Sequence, residues 1–337
     1  MMKSMLLNST KMMMMIMLIT SIMLAISTNS WITLWMMMEI NMMSFIPILS
    51  MNNMINSEST MKYFLIQSIT SMILLMSIII LWLNNNSNIK SNLPINLSLM
   101  MKLGSAPFHW WFIQMAEKLN MINLLTLSTL QKIIPLTSMF YMNQSTTIYL
   151  MIIMNTIMGS INGINQTSMY KIITYSSVNH IGWMTAAMMI NQNSWKLYFT
   201  IYSMMMTSMI MMTHISKTLN LYQMINLKHN NINLILFSMN LLSMGGLPPM
   251  TGFLPKWMII MYLSMNSNIM ILSIMMITSI ITLYFYIKII YSMLLLNNTK
   301  MKWMKQNSQN PLNSMLLTNL MMSIMLMIML NMMFFMY

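Results

Sequence analysis

The chain has 337 residues, 57% of them hydrophobic and only 6% charged, with a mean hydropathy of +0.65. That leaves too little polar surface for a soluble core of this size. Cysteine is absent and only four histidines occur, which excludes disulfides, iron–sulfur clusters and thiolate metal sites and argues against haem or zinc; no cofactor and no metal is expected in this chain.

In chain order, apolar runs of about 20 residues, the length that crosses the hydrocarbon core of a bilayer, lie near 12–28, 30–50, 61–83, 93–115, 121–141, 145–163, 172–190, 195–219, 232–262, 268–296 and 314–336. About eleven transmembrane helices follow, and the fold class is an all-α polytopic membrane protein. The first run follows a basic start and is shaped like a signal peptide. No small-residue cleavage site follows it and the next span begins at once, so it reads as a first membrane helix. Linkers are short and polar, such as NNNSNIKSN at 84–92. No segment is long or polar enough for a separate soluble domain, so residues 1–337 read as one membrane domain.

Two spans are interrupted: the fourth by GSAP (Gly104 to Pro107), the ninth by GGLPP (Gly245 to Pro249). Proline lacks a backbone donor and crowds the preceding turn. In lipid the freed carbonyls need partners, so such breaks persist where they are buried or line a wet cavity. The alternative is a plain helix kink without function. The breaks lie five spans apart, and an odd-numbered unit inserts upside down on its second occurrence. The pattern is that of a transporter core with inverted repeats.

Charge placement points the same way. Glu39, Lys102, Lys132 and Lys256 all lie inside apolar runs. Each such charge costs roughly 2.5–3.5 kcal/mol near the bilayer centre, so the four cost on the order of 10–14 kcal/mol. Intramembrane ionisable groups are therefore candidates for an ion or proton pathway, with a purely structural Glu–Lys pair as the alternative. Buried lysine changes its protonation readily, and a nearby carboxylate biases it. One mid-span carboxylate serves three lysines, so at least two lysines lack such a partner in this chain. His180, in YSSVNHIGW, is a candidate relay or a hydrogen-bonded interhelical histidine. His109 lies beside the first break. Lys62, Lys217 and Lys288 lie near span ends and read as snorkelling cations. Glu58 and Glu117 read as solvated.

Arg and Asp are missing altogether while Met reaches 60. Such usage fits an AT-rich genome that reads ATA as Met, as many animal mitochondria do; Met is also a flexible gap-filler in lipid-facing helices. The net charge of +13 reads as topology signal and as contact with anionic lipid, cardiolipin among the candidates. Nucleic acid is not an expected partner, since no basic cluster interleaves with aromatics.

The strings MEIN around Glu39, SESTMKYFLIQS (57–68), MKLGSAPFHWW (101–111), LQKIIP (130–135), GINQTSMYKIITYSSVNHIGWM (163–184) and LSMGGLPPMTGFLPKWMII (242–260) carry a family resemblance over essentially the whole chain. It resembles the subunit-2 family of mitochondrial NADH:ubiquinone oxidoreductase, respiratory complex I, in an insect-like form. The resemblance implies an antiporter-like bundle with two inverted five-helix repeats and two broken helices, in the mitochondrial inner membrane. It implies that Glu39 faces Lys102 on the first broken helix, that Lys132 is the central lysine, and that Lys256 is the exit-side lysine of the second broken helix. One departure is visible: where the family often has a basic pair, Tyr170 precedes Lys171.

The implied function is a proton half-channel in a redox-driven pump, coupled to NADH oxidation and ubiquinone reduction in other subunits, with no redox centre here. The implied partners are the other membrane-arm subunits, both neighbouring antiporter-like chains and accessory ones. Two alternatives stand beside it. A stand-alone monovalent cation/proton antiporter would need a carboxylate-rich site. A structural scaffold would tolerate loss of the buried charges.

Overall fold

A computed structural model describes residues 9–50, 54–83, 92–142, 146–216, 219–221, 223, 231–266 and 268–298. The expected span at 314–336 and Lys217 lie outside the described residues. Among the described residues the structure is helical, with one isolated bridge between Ser168 and Asn220. The contacts divide the chain into two compact units, 1–155 and 156–337.

The first unit opens with α1 (Ser9–Ser27), α2 (Trp31–Ser50) and α3 (Met54–Leu83). They are apolar enough to cross a membrane, and α1 packs on α2 and α2 on α3. Next come α4 (Asn92–Leu103) and α5 (Trp110–Lys118), which are the two halves of the expected fourth span. They are followed by α6 (Met121–Ser128) and α7 (Leu130–Tyr141). The sequence predicts one continuous helix over 121–141, but the chain kinks at Thr129 (φ −114°, ψ −74°). Thr129 turns its Oγ1 back onto the carbonyl of Leu125 at 2.7 Å. Pro135, six residues on, offers no donor to the carbonyl of Gln131 and crowds it. The helix restarts with Lys132 N–H on the carbonyl of Thr129 at 3.1 Å. The helix α8 (Thr146–Ile161) runs from the first unit into the second.

The second unit contains α9 (Met169–Met188), α10 (Gln192–Ser216), the broken pair α11 (Asn231–Gly245) and α12 (Phe253–Met265), and α13 (Ile269–Asn298). Residues 172–188 of α9 are all buried, so it is the unit's core helix. Its buried hydroxyls are satisfied within the helix: those of Thr174, Ser176, Ser177 and Thr185 donate to carbonyls three residues earlier. By contrast α13 keeps an apolar exposed face that includes Met270, Ile277, Ile280 and Tyr284. At 1.5 Å per residue, its 30 residues span about 45 Å, more than the roughly 30 Å hydrocarbon core.

Both interruptions are built alike. In the first, Gly104 (φ +63°) follows α4; its N–H bonds to the carbonyl of Met101, and the N–H of Ser105 reaches back to that of Met100, both at 3.1 Å. In the second, Gly246 (φ +81°) follows α11; its N–H bonds to the carbonyl of Ser243 at 3.1 Å, and Leu247 N–H reaches that of Leu242 at 3.4 Å. Each is a Schellman closure with glycine in the left-handed position. The prolines that follow prevent the helix from continuing.

Candidate functional site

A helix that ends inside a membrane leaves its last carbonyls without donors. In the first unit neutral groups take them. The indole N–H of Trp111 donates to the Met101 carbonyl at 3.1 Å, and Gln67 Nε2 donates to that of Lys102 at 3.4 Å. Farther into the break, the N–H of Ala106 donates to Oδ1 of Asn155, a fully buried residue of α8. A second bond, from Asn96 Nδ2 to Thr147 Oγ1 at 2.9 Å, fastens α4 to the same helix.

Lys102 is therefore not needed for those carbonyls. It lies in the last turn of α4, where the helix dipole favours a cation. Its Nζ meets Sδ of Met38 on α2 at 3.4 Å. Glu39, the next residue, lies within electrostatic reach of Lys102 and of Tyr63. Glu39 and Lys102 form no direct salt bridge; among the described residues, the ion pairs within 4.0 Å join Glu58 to Lys62 and to Lys118. The Oε1 atom of Glu39 is buried without a hydrogen-bond partner. The expected facing pair is thus a through-space pair, because Met38 holds the position next to the ammonium. Glu58 is 58% exposed, and Glu117 is exposed too.

Lys132 is 2% exposed and sits one turn past the Thr129 kink. Its Nζ lies over the Phe112 ring, 5.1 Å from the centroid, a cation–π contact. Lys102 and Lys132 open into the same cavity, which Asn41, Tyr63, Gln67 and Gln131 also line. The cavity has a volume of about 30 Å³, enough for roughly two waters at about 10–15 Å³ each.

In the second unit Lys256 is 4% exposed and belongs to the first turn of α12, where the dipole disfavours a cation. It reaches back across the break. Its Nζ donates to the carbonyl of Gly245, the last residue of α11, at 2.8 Å and lies 5.6 Å from the Trp183 ring centroid. His180, buried on α9, shares a 2.9 Å hydrogen bond between its Nδ1 and the hydroxyl of Tyr198, and its ring lies 5.2 Å from that of Tyr202. His109 is fully buried in the first break, with Nδ1 3.1 Å from the Pro107 carbonyl.

The structure brings Lys102 and Lys132 together within the first unit and seats Lys256 and His180 in the second. The sequence reading missed Asn41, Tyr63, Phe112, Gln131, Asn155 and Trp183. Asn41 and Gln131 carried a signal, since a carboxamide inside an apolar run needs an interhelical partner. The aromatic residues carried none.

Residues 28–282 match the model of the NADH:quinone oxidoreductase/Mrp antiporter transmembrane family, and the chain belongs to that family. Among curated relatives, NADH-ubiquinone oxidoreductase chain 2 of Anopheles gambiae is 43% identical over 304 residues, covering 88% of this chain and 89% of its own. The Locusta migratoria protein of the same name is 39% identical over 317 residues, covering 90% and 91%. Among solved structures, a chain of Thermus thermophilus respiratory complex I superposes with a TM-score of 0.81 at 16% identity, over 94% of this chain and 77% of that one. A chain of the Mrp complex from Dietzia gives 0.74 at 14% identity, over 82% and 59%. At those identities the two structures establish the fold, that of an all-α, multi-pass antiporter-like membrane protein.

Proposed function

We propose that the chain is a core membrane-arm subunit of proton-pumping NADH:ubiquinone oxidoreductase, set in the mitochondrial inner membrane among neighbouring antiporter-like and accessory subunits. Its two units act as one antiporter-like domain. The relatives' name supports the assignment to that complex. The observation that carries the mechanism is the cavity into which both Lys102 and Lys132 open. Two buried ammonium groups sharing a water-sized space repel each other, so the cavity favours one charge over two. Glu39 biases which lysine holds it. A proton can then step between them through water when a neighbouring subunit changes the local field. Lys256 is the proposed exit-side site and His180 a proposed relay, each within the second unit.

The test is Lys132→Met in membranes, which keeps length and removes charge. The assembled complex should persist while NADH-driven quinone reduction and proton uptake fall together. Lys132→Arg should also impair both, since arginine does not deprotonate in proteins. Wild-type rates per assembled complex in the Met variant would remove Lys132 from the pathway.

A further inference from the structure

Two waters in the cavity that Lys102 and Lys132 line would need more partners than the two lysines provide. A buried water is held by about three hydrogen bonds. Much of the cavity wall, including the side chains of Leu103, Phe112 and Leu127, offers none. Besides Gln67, whose Nε2 is engaged with the Lys102 carbonyl, the polar part of the wall is a chain of three side chains from three helices. The hydroxyl of Tyr63 on α3 donates to Oε1 of Gln131 on α7 at 3.2 Å. Nε2 of Gln131 donates to Oδ1 of Asn41 on α2 at 2.8 Å. Tyr63 and Asn41 are each 3% exposed. After these bonds form, the three groups still have N–H donors on both amides and lone pairs on the Tyr63 and Gln131 oxygens. Carboxamides neither gain nor lose protons at working pH, so the chain cannot carry the proton itself. It can fix where the water hydrogens point.

We propose that Tyr63–Gln131–Asn41 is a fixed polar rail that orders the water bridge between Lys102 and Lys132. This rests on the reading that these lysines exchange protons. In the exchange, one ammonium gives a proton to the first water while the last water gives one to the neutral amine. One proton moves, no electron moves, and the waters are restored. Gln131 is the positioning residue, because it joins both hydrogen bonds and adjoins Lys132 in the chain.

The experiment uses the assembled complex in membranes carrying Gln131→Leu, Tyr63→Phe, the double variant, Lys102→Met or Lys132→Met. Turnover, proton uptake and the solvent deuterium isotope effect on turnover are measured per assembled complex. Gln131→Leu should slow turnover and uptake about tenfold, the worth of one to two hydrogen bonds, and enlarge the isotope effect. Tyr63→Phe, which loses one hydroxyl, should do the same about threefold. The double variant should be no slower than Gln131→Leu, since both changes cut one rail. If Gln131→Leu does not assemble, Tyr63→Phe decides. Unchanged turnover and isotope effect in the rail variants, alongside impaired lysine variants, would overturn the rail and leave the pathway. Wild-type behaviour of both lysine variants would overturn both. Reduced assembly with an unchanged isotope effect in the assembled fraction would overturn the rail as well, making it structural only.

Discussion

A single methyl group at Gly246 should act on Lys256. The backbone there has φ +81°, and a Cβ would lie 3.0 Å from both Cδ and Nζ of Lys256. Two effects separate. An L-side chain in the left-handed region costs roughly 1–2 kcal/mol. Displacing Nζ from the Gly245 carbonyl loses a hydrogen bond to a charged group, worth about 1.5–3 kcal/mol. Gly246→Ala should therefore destabilise the second break by about 2.5–5 kcal/mol, summing the two. Gly246→Asn tolerates the backbone conformation but keeps the Cβ, so it should retain mainly the second effect. The assay is retention of assembled, active complex through graded heating in detergent, with Gly246→Ala measured alone and with Lys256→Ala. Removing the lysine removes the collision, so Gly246→Ala should be milder in that background by roughly the bond's worth. Equal damage in both backgrounds, or a harmless Gly246→Asn, would refute the reasoning.

Glu39 and Lys102 should behave as a through-space pair. Glu39→Gln or Lys102→Met alone should slow turnover more than the two changes together, because a lone buried charge is the costly state; a double variant as slow as the sum of the two log-rate losses would show that the two act independently. Asn155→Leu should destabilise the first break by about 1–3 kcal/mol, since the Ala106 N–H loses its acceptor inside the protein. This would appear as lower yield of assembled complex, and undiminished yield would mean that another acceptor takes over.

The breaks were legible because glycine and proline act locally. Gly104 and Gly246 end helices through their own backbones, and Pro107, Pro248 and Pro249 forbid continuation whatever surrounds them. The buried lysines were legible because a charge in an apolar run has few cheap explanations. The Thr129 kink was not: threonine is unremarkable in a membrane helix, and the bend depends on its hydroxyl and on a proline six residues away. The rail was not legible either, since its outer members are joined through Gln131, 90 residues after Asn41 and 68 after Tyr63. Glu39 is a finer case. The resemblance implied that it faces Lys102, and in the structure the side chain against the ammonium is that of its neighbour Met38, a choice made by packing that no local pattern encodes.

The two breaks differ in who keeps their helix ends closed, and that difference has a thermodynamic corollary. Trp111 and Gln67 hold the first end with donors that are the same in every protonation state of the protein. The second end is held by the ammonium of Lys256. A hydrogen bond from a charged donor is about twice as strong as one from a neutral group, so any proton that leaves Lys256 loosens the end of α11 as it goes. Conversely, whatever tightens α11 raises that lysine's hold on its proton, by the reciprocity of linked equilibria. On the proposed pathway, the first half of the molecule would exchange protons at constant shape. In the second, proton affinity and helix closure are one variable, so force applied to α11 by a neighbouring chain would be felt as a change in basicity.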